Sequence, residues 1–256
     1  MIIDTHAHYD DKAFEEDRSE VLESMAGEGI GRIVNIGSSL GACKRTIQLM
    51  EQYNFIYGAL GVHPTDSGEL TEEDIEWLRT QCALEKCVAV GEIGLDYYWD
   101  EPEREIQKKW FIRQLQLARE VNLPVVIHSR DAAQDTVDIM KAEKAQEIGG
   151  VVHCYSYSRE LAKNFLDMGF YFGIGGVVTF NNGRKLKEVV EYLPMDRIVL
   201  ETDSPYLAPV PFRGKRNDSR KLTYVIDQIA EIKGLPTEEV IQTTTQNAYN
   251  LYPKLK

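Results

Sequence analysis

Eight short apolar runs, rich in β-branched residues, recur along the 256-residue chain. They lie near 1–8, 32–37, 56–62, 88–94, 124–129, 150–154, 170–176 and 197–202, and a stretch of helical length follows each. Such runs, bounded by turn residues, read as strands. Strands that alternate with helices imply parallel pairing, because a parallel neighbour is reached only through a crossover. Val125-Val126-Ile127 and Ile198-Val199-Leu200 are apolar on both faces, as expected of strands held between a core and a helix layer. Eight strand–helix units predict a TIM-like (β/α)8 barrel of the α/β class, with an open doubly wound sheet as the alternative.

Helices are expected near 13–27, 40–52, 72–82, 102–121, 132–146, 158–168, 183–192 and 220–232, with a last one near 237–250. Thr71, three residues before Asp74, predicts a capping box with Asp in place of Glu, and Thr237 is expected to cap the last helix. No Gly/Ser linker, low-complexity tract or repeat divides the chain, so residues 1–256 are expected to form a single domain.

Composition narrows the function classes. With 43% hydrophobic and 27% charged residues, the chain has enough apolar material for a core and is too apolar for disorder. No apolar stretch approaches the roughly 18 residues of a membrane span, and no signal-like segment opens the chain. A cytoplasmic protein without membrane contact is expected. Cys43, Cys82, Cys87 and Cys154 form no CxxC pair, so reduced thiols are expected. The 29 basic and 41 acidic residues leave a net charge of -12. Such a body repels a polyanion, and a nucleic-acid substrate would need a local attractor. The one dense basic cluster is Arg213, Lys215 and Arg216, with Arg220 and Lys221 close behind; a solvated loop is the plainer reading of such a cluster.

His6, His8, His63, His128 and His153 are the only histidines, and each falls at or just past the C-terminal end of a predicted strand. In a parallel barrel those ends meet on one face, where active sites of this architecture are built. Glu92, Glu201 and Asp203 belong to the same mouth. Side chains two apart on a strand share a face, so His6 and His8 are predicted to grip one ion together. Imidazole with carboxylate suits zinc and related divalent ions, whereas magnesium prefers oxygen alone. Four imidazoles and two carboxylates exceed the needs of one tetrahedral ion with an open position, which predicts two metals. A lone HxH is as well explained by ordinary polar packing; the joint placement at one end of different strands argues for a metal centre. Asp4 is expected behind His6, hydrogen-bonded to an imidazole and not on the metal. His63, followed by Pro64, is read as substrate-orienting or structural. Cys154 is expected to point out of the barrel into core packing.

These residues lie in segments that resemble the TatD-family metal-dependent deoxyribonucleases, within the amidohydrolase-like barrels. The segments are Asp4-Thr5-His6-Ala7-His8, Gly61-Val62-His63-Pro64, Gly91 to Tyr98, Pro124 to Arg130, Val152-His153-Cys154, Glu201 to Pro209 and Arg213 to Asn217. The resemblance runs along nearly the whole chain. It implies that His6 and His8 hold one divalent ion, that His128 and His153 hold a second, that Glu92 bridges them, and that Asp203 ligates the first and handles a proton. After Asn217 the family usually shows an acidic residue and then proline; here Asp218 is followed by Ser219, a departure in the substrate-side loop.

The expected reaction is phosphodiester hydrolysis of DNA, single strands included, by a water activated between two divalent ions (zinc, manganese or magnesium), with Asp203 and Glu92 as the catalytic carboxylates. Glu201 is placed with Asp4 behind the ligands. Substrate contacts are expected from His63, Arg130, Tyr155, Arg213, Lys215 and Arg216. Tyr97, Tyr98 and Trp99 also lie near strand ends where rings stack on unpaired bases, Trp99 being the one expected in loop packing. A monomer is expected. Two other readings keep the metal: hydrolysis of an ester or amide, such as an aminoacyl ester on tRNA, and a metal-stabilised binding module without turnover. Many amidohydrolase-like barrels bridge their metals with a carboxylated lysine where this chain has Glu92, which favours the TatD-like group.

Overall fold

The computed structural model describes residues 1–255. Eight parallel strands, β1 (Ile2–Ala7), β2 (Ile30–Ile36), β3 (Ile56–Leu60), β4 (Cys87–Asp96), β5 (Val125–Arg130), β6 (Gly150–Val152), β7 (Tyr171–Ile174) and β8 (Ile198–Leu200), neighbour one another in chain order. Between β8 and β1 the circuit is completed by a bridge from Ala7 to Ser204 and by backbone bonds from His8 to Ser204 (2.7 Å) and from Asp203 to His6 (2.9 Å). The sheet is a barrel. A doubly wound sheet would reverse its strand order at a switch point, and this one does not.

The helices are α1 (Arg18–Ser24), α2 (Leu40–Gln52), α3 (Glu72–Gln81), α4 (Arg104–Val121), α5 (Ala133–Ala142), α6 (Arg159–Asp167), α7 (Arg184–Tyr192), α8 (Leu222–Lys233) and α9 (Thr237–Leu251). The first is shorter than the expected 13–27, because tight 3-10 turns at Lys12–Phe14 and Met25–Glu28 flank it. The capping box of α3 is present in both halves, Thr71 accepting from the Asp74 amide and Asp74 from the Thr71 amide. The expected cap at Thr237 is not made. Pro236 stands at the start of α9, and the Thr237 hydroxyl turns to Glu238 at 3.2 Å.

Two apolar layers follow from strand alternation. Ile3, Val34, Ile36, Ala59, Val126, Val151 and Val199 cluster together, and Leu251, Tyr252 and Leu255 from the C-terminal end pack on them. The other strand faces, including Ile33, Val125, Ile127, Phe172 and Ile198, join the helices in a larger cluster. Both layers are apolar, and the histidines and carboxylates gather at the mouth instead. Among the described residues no helix is long and apolar enough to cross a membrane, and all four cysteines are free.

Two irregularities aim the functional side chains. The register of β1 on β2 shifts between Asp4 and Ala7, and that of β4 on β5 shifts between Val90 and Ile93. An extra residue at such a point re-aims the side chains beyond it, and the two shifts carry His6 and Glu92.

Candidate metal centre

Glu92 is the hub. Its Oε1 lies 2.8 Å from His128 Nδ1 and 3.3 Å from His153 Nε2, while Oε2 lies 3.5 Å from His6 Nε2 and 3.9 Å from His8 Nε2. The Nε2 atoms of His6 and His8 are 3.2 Å apart. Asp203 Oδ1 closes this side at 3.4 Å from His8 and 3.6 Å from His6. Strand ends supply every one of these groups. Asp203 takes φ +55° just beyond β8, which turns its carboxylate back over the mouth.

The donor set fits divalent cations. His8 Nδ1 donates to the Ile36 carbonyl at 3.0 Å, which fixes the tautomer that leaves Nε2 free, as metal-binding histidines require. His6 Nδ1 and His153 Nδ1 are buried without a hydrogen-bond partner. His6, His8 and Asp203 form one group able to hold an ion; His63, Glu92 and His128 form another; His6 and His153 also meet Glu201 in a third.

The electrostatics lead to the same demand for positive charge. Burial pushes the Glu92 carboxyl up, but His153, His128 and His6 override it and hold it well below its usual range. Burial likewise works against protonation of His8 and His153, and the carboxylates reverse it: Asp203 raises His8 to about 9, and Glu92 with Glu201 raises His153 to about 10. A cluster that retains protons this strongly binds cations in their place. Two histidines are exceptions: His6, which burial and the neighbouring His153 lower, and His63. Burial and the neighbouring His128 lower His63 to about 3, so it is neutral. Its Nδ1 accepts the Thr65 amide at 3.2 Å, and the ring proton therefore sits on Nε2, 3.9 Å from Glu92.

Around the centre lies a cleft of about 1140 Å³ lined by His8, His63, Glu92, His128, His153 and Asp203, with Arg130 and Trp99 on one rim. Several expectations change here. Asp4 touches no imidazole: it lies before the register shift that re-aims His6, its carboxylate accepts from Thr202 (2.7 Å) and Ser219 (2.6 Å), and burial raises it to about 7 against those hydrogen bonds. Tyr155 is 2% exposed, packed on Phe165 and Phe172, with its hydroxyl on the Ser158 carbonyl, and it offers no face to substrate. Arg213, Lys215 and Arg216 do not line the cleft. Arg216 is tied to Asp17 at 2.7 and 2.5 Å, and Arg220 and Lys221 both bind Asp218. Trp99 is not packed into its loop but is exposed at the rim. Cys154, at φ +46°, turns into the cleft instead of outward.

One supporting residue carries no role in the sequence reading. Asp96 accepts from His128 Nε2 at 3.0 Å, leaving Nδ1 towards Glu92. Its position, four residues beyond Glu92 on the same strand, is the signal that would have found it. Glu201, expected behind the ligands, accepts the Cys154 amide at 2.6 Å and lies 3.4 Å from His153 Nδ1. Gly94 makes the close approach possible, at φ +146°: a Cβ there would meet the His128 carbonyl oxygen at 1.9 Å.

A (β/α)8 barrel with imidazoles and carboxylates converging at its C-terminal mouth defines a metal-dependent hydrolase. The family model described as TatD related DNase matches residues 3–253. The metal-dependent hydrolase YabD of Bacillus subtilis is 47% identical over 252 residues, covering 98% of this chain and 99% of its own; YcfH of Escherichia coli is 38% identical over 255, covering 98% and 96%. The crystal structure of YjjV, a TatD homologue from Escherichia coli, superposes with a TM-score of 0.92 at 33% identity and 98% coverage of both chains. The chain belongs to the TatD family.

Proposed function

We propose that this hydrolase cleaves phosphodiester bonds of DNA and that two divalent ions, zinc, manganese or magnesium, act in its mouth. The observation that carries the reading is Glu92, whose two oxygens face different histidine pairs, as a bridging carboxylate does. His6, His8 and Asp203 would hold one ion, His128 and His153 the other. Bound there, the ions supply Lewis acidity, lowering the pKa of a water and neutralising charge on the reacting phosphoryl group. The family model's name supports DNA as the substrate.

The chain's own groups do the rest. Burial pushes the Asp203 carboxyl up, but His8, His153 and His6 hold it below its usual range. Asp203 is thus ionised and accepts the proton of the attacking water. His63, neutral with its proton on Nε2, donates to a substrate oxygen. Arg130 contacts a phosphate from the rim.

The test is a metal-reconstitution series on end-labelled single- and double-stranded DNA and on an aminoacyl ester, with and without chelator. DNA cleavage that chelator abolishes is expected, and Asp203→Asn should lose at least about a hundredfold when measured at metal concentrations that fill the site; full activity of this variant with both ions bound would remove Asp203 from proton transfer. Turnover of the ester alone would move the scissile bond to a carbonyl, and no turnover with metal verified would leave a binding module.

A further inference from the structure

We infer that Trp99 and Arg130 form a stacking subsite for one unpaired nucleobase beside the metal centre, an inference that rests on DNA as substrate. Trp99 is 64% exposed and its neighbour Tyr98 56%. A large ring left in water in the cleft lining, with a second exposed ring beside it, marks a place that something planar or apolar covers. Trp99 and Arg130 line the same cleft as His128 and Glu92. Tyr98 backs them both: the Arg130 guanidinium lies 3.9 Å over its ring, and the indole meets it edge-on at 5.2 Å and 88°. The outer face of the guanidinium and the indole are what the cleft presents.

The platform is held by hydrogen bonds that involve no ligand. Asp96 Oδ1 accepts the amides of both Tyr98 (3.0 Å) and Trp99 (3.1 Å), while its Oδ2 holds His128. The Tyr97 amide donates to the Arg130 carbonyl at 2.8 Å, and the Tyr97 hydroxyl donates to Asp135 at 2.6 Å. One carboxylate therefore fixes the aromatic turn relative to a histidine of the metal centre, so stacking there registers the strand on the reacting phosphate. Arg130 forms no ion pair among the described residues, and its charge remains for the backbone while its plane stacks. Tyr206, the other exposed ring in the cleft lining, differs in that its hydroxyl donates to the Asp11 carboxylate at 3.0 Å. A base in a duplex already has both faces stacked, so the subsite selects an unpaired one, whatever its identity.

The experiment compares single-stranded oligonucleotides with the same oligonucleotides carrying one abasic nucleotide at successive positions around the cleavage point. For the native chain, kcat/KM should fall about tenfold at one position and little elsewhere; in the Tyr98→Ala/Trp99→Ala variant that contrast should disappear, and Trp99→Phe should restore part of it. Metal content and affinity of the variant should stay at the native level. An equal abasic effect in native and variant chains overturns the inference. If no phosphodiester is cleaved, the functional reading fails instead, and binding decides the subsite. With chelator present, a base-bearing oligonucleotide should quench the Trp99 emission, taken as native minus Trp99→Phe, and its fully abasic counterpart should not. Equal quenching by both sinks the subsite.

Discussion

Gly173 on β7 faces Glu201, and replacing it by alanine tests how tightly the metal centre is built. A Cβ at this position would lie 1.9 Å from Glu201 Oε2 and 2.4 Å from Cδ. Restoring an ordinary 3.4 Å contact means moving that oxygen by 3.4 - 1.9, or about 1.5 Å. The carboxylate is not free to retreat, since Oε1 takes the Cys154 amide at 2.6 Å. Overpacking in such a place costs about 1–3 kcal/mol, and losing a charge-assisted hydrogen bond about 1.5–3. Gly173→Ala should therefore destabilise by about 2.5–6 kcal/mol. The decisive measurement is a double-mutant cycle by urea unfolding in chelator, with Glu201→Ala as the partner. Once the carboxylate is gone the new methyl occupies vacated space, so Gly173→Ala should then cost under about 0.5 kcal/mol, a coupling of about 2 kcal/mol or more. Costs that simply add would refute the argument.

Asp96→Asn places an amide group opposite His128 Nε2 or misplaces the aromatic turn, and metal affinity should fall about 10–100-fold in a competition titration with a chromophoric chelator; unchanged affinity would remove Asp96 from the site. Because His8 and His153 are raised to about 9 and about 10, each must release a proton at pH 7 to become a ligand. Metal affinity should rise from pH 6 to 8, and calorimetry in buffers of different ionisation enthalpy should detect the released protons; pH-independent uptake contradicts the charge argument. Burial raises the Asp218 carboxyl, but Arg220 and Lys221 override it and hold it below its ordinary 3.8. A depressed carboxylate contributes stability above its unfolded pKa and loses it as pH falls below about 4. Asp218→Asn should flatten the acid limb of a stability profile, and an unchanged limb would show that the pair contributes nothing.

The location of the chemistry was legible because it depends on local order. His6, His8, His128 and His153 each close an apolar run, and parallel strands bring such ends to one face whatever the loops do. Trp99, Tyr155 and Cys154 were not legible in the same way. All three follow strand ends, and which way each turns is set by later contacts: Asp96 holds the Trp99 turn outward, an aromatic cluster draws Tyr155 inward, and a left-handed backbone swings Cys154 into the cleft. The pairing within the basic cluster was hidden for a related reason, since a run of cations in sequence does not say that Arg216 meets Asp17 or that Arg220 and Lys221 meet Asp218 in space.

By itself, then, the sequence determined the alternation of strand and helix, hence the parallel barrel, and the set of imidazoles and carboxylates at its mouth. Only the tertiary structure decided how they are aimed. Strand periodicity assigns a side chain to a face only while the register is regular, and β1 and β4 each shift register beside a functional residue. Those shifts arise from pairing with β2 and β5, contacts remote in sequence. They put His6 out of phase with Asp4 and set Glu92 in the middle of four histidines.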